Sequence, residues 1–274
     1  MLRQRILTAL VLAPLVIWGI LRLPTAAFAA GAAVVFGLAA WEWSRLSGLR
    51  QPALRAAYAV IILWLMLTLY YPVVHVDGFV TILGVLAAAW WLLALRIVIR
   101  FPAGEQFWRR SDPARGVAGV LITVPAWAAL VGIHHFAGPA YLLLFMLLVW
   151  GADVAAFFAG RRWGRNKLAP RVSPGKTVEG VVGALVAALF IAGGGVFWLG
   201  LSLGAGAALV GVALFTAGVS VLGDLTESLF KRVSEVKDSG ALLPGHGGMF
   251  DRIDSITAAA PWYLLGLAVL GRLA

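Results

Sequence analysis

Residues 204–232 read GAGAALVGVALFTAGVSVLG and then, without a break, DLTESLFKR. The first part, 204–223, carries no charge, and at 1.5 Å rise per residue it makes a helix of about 30 Å, the thickness of a bilayer's hydrocarbon core. The second part brings Asp224, Glu227, Lys231 and Arg232 in quick succession. The stretch therefore predicts a membrane-crossing helix that continues past the lipid surface. Along it Asp224, then Glu227 or Ser228, then Lys231 recur at i, i+3 or i+4, and i+7, which places them on one helical face.

Working outward, similar apolar runs fill the chain, at roughly 6–22, 25–43, 56–74, 78–98, 117–135, 139–159, 178–198 and 256–272. The composition requires this. Of 274 residues 62% are hydrophobic and only 12% charged, with a mean hydropathy of +0.93, whereas a soluble domain carries about 25% charged residues. The expected fold class is all-α, a polytopic transmembrane helical bundle of about nine spans. The first run follows Arg3 and Arg5 and precedes small residues at 26–30, imitating a secretory signal, but its length and the runs behind it favour a retained span. Two regions are expected: residues 1–135 as N-terminal transmembrane helices, and 136–274 as a C-terminal catalytic transmembrane domain with cytoplasmic loops.

Charge placement orients the bundle. With a cytoplasmic N-terminus, only Arg22 and Arg272 of the 22 basic residues fall at outer ends, the alternation that positive-inside bias produces. The expectation is a multi-pass protein of the cell (inner) membrane with its active site facing the cytoplasm. The excess of 22 Lys and Arg over 12 Asp and Glu suits anionic headgroups, and no soluble basic domain exists to carry nucleic acid. Having no cysteine, the chain has neither disulfides nor thiolate chemistry. The stretch 96–115, with five arginines and Phe101, Phe107 and Trp108, reads equally as an interfacial segment on lipid or as an ordinary anchored loop.

Ionisable groups inside spans mark function. Here they are Glu42, Asp153 in the sixth span, and Asp224 and Glu227 in the eighth. Downstream come Lys237-Asp238-Ser239-Gly240, Pro244-Gly245-His246-Gly247-Gly248 and Asp251-Arg252-Ile253-Asp254. Proline and glycines around His246 make a loop, in which glycine amides can converge on a phosphate. Asp251 and Asp254, at i and i+3, supply the carboxylate oxygens that suit Mg²⁺. A second polar block, Arg171 to Gly180, holds Ser173, Lys176, Thr177 and Glu179. Ser173 or Thr177 can cap the following helix, whose N-terminus attracts phosphate. It is not a P-loop: Pro170 stands where the first glycine belongs, and no strand is expected before it.

The window Ser228–Asp254 reads S-x-x-K-R-x4-K-D-x5-P-x-H-G-G-x-x-D-R-x-D. It resembles the signature of the phosphatidate cytidylyltransferases, the CDP-diacylglycerol synthases. Upstream the resemblance weakens: Val154 stands for a threonine, Phe157 or Phe158 for an aromatic, and Gly175 for the first of two lysines, of which Lys176 is retained. The resemblance implies condensation of CTP with phosphatidic acid, dependent on Mg²⁺ held by Asp224 and Asp251. It also implies a helical homodimer with a funnel-like cavity facing the cytoplasm, able to take a second, monovalent cation. Catalytic roles then fall to Asp224, Asp251, Lys237, Asp238, His246, Arg252 and Asp254. Substrate contacts fall to Asp153, Ser173, Lys176, Thr177, Glu179, Glu227, Ser228, Lys231, Arg232, Gly247 and Gly248. His246 either donates to a phosphate or fixes its loop. The rival expectation is a cation- or proton-coupled transporter using Asp153, Asp224 and Glu227, against which the nearly uncharged outer loops count.

Overall fold

The computed structural model describes residues 2–236, 240 and 247–273. Every expected run is a helix: α1 (Leu2–Arg22), α2 (Thr25–Leu46), α3 (Pro52–His75), α4 (Phe79–Arg100), α6 (Asp112–Gly132), α7 (Pro139–Trp163), α8 (Val178–Trp198), α9 (Leu203–Val233) and α10 (Asp254–Val269). A short α5 (Glu105–Arg110) lies between α4 and α6. In lipid a backbone must satisfy its own hydrogen bonds, so uninterrupted apolar sequence becomes helix. Prolines start the helices more than they break them: Pro24 precedes α2, and Pro52 and Pro139 open α3 and α7.

Seven of these helices are long and apolar enough to cross a membrane: α2, α3, α4, α6 with the π turn Ile133–Ala137 that extends it, α7, α8 and α9. Of α1 the described apolar part is Leu12–Arg22. α10 has 16 residues, about 24 Å at helical rise, and it is the most enclosed element at the site. Asp254, Ser255, Ile256 and Thr257 are all buried at its start, and Tyr263, Leu264 and Leu267 further on. α6 is similarly central, 78% of its apolar stretch being buried, against 28% for the peripheral α3 and α8. As its sequence predicts, α9 overshoots the membrane: 31 residues give about 46 Å.

One departure from an all-helical chain lies beside α8. Lys167–Ala169 (β1) and Ser173–Thr177 (β2) form an antiparallel hairpin, with Lys167 opposite Thr177. A strand, β1, thus precedes the polar block, contrary to the expectation that none does, and Ser173–Thr177 of the block is itself a strand. In an aqueous loop Ser-Pro-Gly-Lys-Thr can extend because its partner strand satisfies the backbone. Thr177 settles the capping alternative: its Oγ1 accepts the Gly180 N–H at 3.2 Å, while Ser173 stays in the strand.

The stretch 96–115 also proves mixed. Arg115 is turned inward, 5% exposed, donating to the Trp108 carbonyl at 2.9 Å and pairing with Asp112. Trp108 packs edge-on against Phe230 of α9 at 5.2 Å, whereas its neighbour Phe107 is exposed. Arg109 bonds Glu105 at 2.6 Å and Glu235 at 2.5 Å. This segment is a strut between α6 and the end of α9 as much as a lipid-facing surface.

Candidate active site

Where α7, β2, α8, α9 and α10 meet, a cavity of about 440 Å³ opens between them. α9 contributes Ser220 and Asp224, β2 contributes Lys176, and α8 enters with its cap Thr177 and Gly180. From α7 come Asp153, Phe157 and Arg161, and from the last elements Asp251, Asp254 and Ser255. Four aspartates from three separate stretches of sequence therefore share one space.

Each is held by a different contact. Asp224, half-buried on α9, pairs with the Lys176 ammonium at 2.5 Å and accepts from Ser228 Oγ at 3.5 Å. From sequence, neither Lys176 nor the deeper of the α9 carboxylates had an obvious partner; they are each other's. One turn on, Glu227 pairs with Lys231 at 3.0 Å. That i,i+4 pair does not snorkel to water, because Glu227 is 3% exposed and Lys231 continues inward to Asp251.

Asp251 sits in a 3-10 turn, Phe250–Arg252. One of its oxygens meets Lys231 and the other accepts the Gly248 N–H at 2.7 Å. Burial works to raise this carboxyl, but hydrogen bonds with Glu227 and Lys231, the Lys231 charge and the Gly248 amide outweigh it and hold Asp251 below the usual carboxylate range. The Gly248 amide, expected to face a phosphate, is thus engaged with Asp251, and Gly247 beside it adopts a left-handed φ of 83°.

Asp254 is buried at the start of α10, where its Oδ1 accepts the Ser255 N–H at 2.7 Å. It reaches the cavity because α9 and α10 touch backbone to backbone at Gly223. A side chain on Gly223 would overlap the Asp254 carbonyl. Ser255 Oγ in turn donates to Asp153 Oδ1 at 3.3 Å, joining α10 to α7.

Other expected site residues lie elsewhere. Arg232 is exposed and its Nε donates to the Val172 carbonyl at 3.3 Å, tying the hairpin to α9. Glu179 faces the hairpin, accepting the Asn166 backbone N–H at 3.1 Å and its side-chain amide at 2.7 Å. Ser173, Ser228, Lys231 and Arg252 are not among the cavity's lining residues. Ser228 bonds Asp224 instead, and Lys231 pairs with Glu227 and Asp251. Lys237, Asp238 and His246 lie outside the described residues.

Sequence reading did not single out Arg161, Ser220 or Ser255 for this site. Arg161 follows Asp153 by eight residues, close to the same helical face. Its spacing was a usable signal that the run of basic residues around it masked. Ser220 and Ser255 look like ordinary small residues of packed helices until their neighbours are known.

The donor set fits a hard divalent cation shared with a ligand. Mg²⁺ takes oxygen ligands, commonly one or two carboxylates completed by substrate phosphates and water. Asp224 and Asp251 reach the cavity in that way, and each now faces a lysine ammonium, a positive charge where a cation would sit. Among the described residues no three carboxylate or imidazole groups converge tightly enough to cage an ion alone. A cation here would be completed by a bound anion.

Comparison with known proteins gives one consistent result. A model of the cytidylyltransferase family matches residues 3–270. The phosphatidate cytidylyltransferase of Pseudomonas aeruginosa is 47% identical, covering 95% of each chain. That of Haemophilus influenzae is 38% identical over 96% of this chain and 97% of its own, and that of Bacillus subtilis 32% over 98% of both.

Proposed function

The chain belongs to the cytidylyltransferase family, and on that premise we propose that it condenses CTP with phosphatidic acid to give CDP-diacylglycerol and pyrophosphate. The observation that carries the reading is a cavity that gathers Asp153, Asp224, Asp251 and Asp254 with Lys176 and Arg161 at the end of membrane helices. A lipid phosphate and a nucleotide triphosphate need such a place, one side apolar and the other able to spread several negative charges.

An oxygen of the lipid phosphate attacks the α-phosphorus of CTP. The bond from that phosphorus to the bridging oxygen of the β-phosphate breaks, and pyrophosphate leaves with the electron pair. Phosphomonoesters have a second pKa near about 6, so the nucleophile is already anionic at neutral pH and needs no strong base. The difficulty is bringing two polyanions together in line. Mg²⁺ held by Asp224 and Asp251 would neutralise phosphate oxygens and favour the departure of pyrophosphate. Lys176, released from Asp224, turns its ammonium to a phosphate, and Arg161 offers a guanidinium at the same cavity. Asp153, Asp254 and Ser255 form the inner wall and orient what enters. A monovalent cation beside the first would offset the remaining aspartate charge.

The same reading places the protein in the inner membrane as a homodimer, with the cavity toward the cytoplasm, where CTP is found. The orientation is supported by the basic residues gathered in the loops on that side, among them Arg161 at the cavity. The test is conversion of radiolabelled CTP to a chloroform-soluble product by purified protein in detergent with phosphatidic acid, with and without Mg²⁺, beside Asp251→Asn. Label in the lipid phase that needs phosphatidate and Mg²⁺, and that Asp251→Asn loses, is the expected result. Absence of label from folded wild type across several lipids and cations refutes the reaction and sends the inquiry to ion-coupled transport.

A further inference from the structure

Glu42 belongs to α2, far in sequence from every residue of the candidate site, yet it is 1% exposed. A carboxylate is rarely buried unless strong hydrogen bonds replace its water. Glu42 Oε2 accepts the backbone N–H of Phe250 at 2.8 Å. Phe250 opens the 3-10 turn that carries Asp251. On its other side Gly240 lies so close that a Cβ there would overlap Glu42 Oε1. The one carboxylate therefore touches the chain on both sides of the glycine–histidine segment.

Its neighbour reinforces the contact. Trp43 packs against Phe250 at 4.8 Å and against Phe230 of α9 at 5.0 Å, and its Nε1–H is anchored on the Arg115 carbonyl at 2.8 Å. Just past the end of α9, Ser234 Oγ donates to the Leu46 carbonyl at 2.6 Å. The end of α2 is thereby braced against both elements that present the α9 and 3-10-turn carboxylates.

We infer that Glu42 is a positioning residue for cytidylyl transfer: its carboxylate holds the Phe250–Arg252 turn, and through it the direction in which Asp251 meets the cavity. This rests on the function proposed above. Lys231 and the Gly248 amide fix the rotation of the Asp251 side chain, whereas Glu42 fixes the backbone from which it projects. Phe250 is 1% exposed, so its N–H has no water to turn to when the acceptor is removed, and the turn must shift.

The test uses the full chain in detergent, as Glu42→Ala, Glu42→Gln, Gly240→Ala and the double variant Glu42→Ala/Gly240→Ala. Deuterium exchange over residues 247–254 is read beside steady-state turnover. Glu42→Ala should exchange at least about tenfold faster at Phe250, the loss of one charge-assisted hydrogen bond. Its kcat should fall about 100-fold, the effect of a displacement near 1 Å, with KM for CTP within about threefold of wild type. Glu42→Gln keeps an acceptor oxygen and should stay within about fivefold of wild type in both readings.

Gly240→Ala, pushing on the same oxygen, should reproduce the loss. In the double variant it should add nothing to Glu42→Ala, because the atom it meets is gone. If Glu42→Ala does not fold, Gly240→Ala against Glu42→Gln makes the same comparison. Wild-type exchange and kcat in Glu42→Ala, or additive losses in the double variant, overturn the inference. Exchange that responds to Glu42 in a protein forming no lipid-soluble label removes the reaction and leaves the clamp. Turnover with exchange indifferent to Glu42 removes the clamp and leaves the reaction.

Discussion

Lys176 and Asp224 meet at 2.5 Å from two different elements, each side chain partly open to the cavity. An ion pair so placed contributes little to stability, since solvent screens it. On the proposed function its value lies in being breakable: an arriving phosphate would take the ammonium, and a cation the carboxylate. Lys176→Ala should therefore leave folding intact and lower turnover by about 100-fold or more, in line with the loss of one preorganised donor, while Lys176→Arg recovers part of it. Asp224→Asn should abolish turnover, because it removes the negative charge that the proposed Mg²⁺ would need as well as the partner of Lys176. Equal, mild losses in Lys176→Ala and Asp224→Asn would mean that the pair only joins the hairpin to α9.

Around the cavity two contacts between elements are sensitive points. α9 and α10 close on each other at Gly223, against the Asp254 carbonyl. Gly223→Ala should cost about 1–3 kcal/mol by overpacking and widen the cavity, seen as a lower melting temperature in detergent together with lost activity. At the start of α8, Thr177 caps the helix and lines the cavity. Thr177→Ala should cost about 1 kcal/mol, and Thr177→Ser should restore it. Wild-type melting temperatures in Gly223→Ala and Thr177→Ala would show that neither contact is tight in the folded protein.

The whole molecule is a bundle whose two most central helices, α6 and α10, are wrapped by helices that meet lipid. Its hydrophobic core runs without interruption from Ile20 in α1 to Leu267 in α10. Orientation can be tested cleanly, because the chain has no cysteine of its own. Single cysteines at the exposed positions Arg50 and Arg165 should resist an impermeant maleimide on intact cells and react after the membrane is opened, while one at Asp77 should react from outside at once. The reverse pattern would invert the bundle and place the cavity away from CTP. Only after these elements are packed does Glu42 of the N-terminal region reach Phe250 beside the site, so activity is a property of the whole chain.

Sequence alone determined the helices, because lipid leaves an apolar chain no other way to satisfy its backbone, and that constraint is local. It also located the polar ends, since charges avoid hydrocarbon, and it named Asp153, Asp224, Asp251 and Asp254, which do share a cavity. Tertiary structure alone decided the pairings. Lys176 faces Asp224, Lys231 bridges Glu227 and Asp251, the Gly248 amide serves Asp251, and Arg232 and Glu179 hold the hairpin. Periodicity says which face of a helix a residue occupies, but not which neighbour that face will meet. Distances of a few ångströms between elements decide whether a charge finds a partner, a substrate or a backbone amide, and those distances exist only once the bundle is packed.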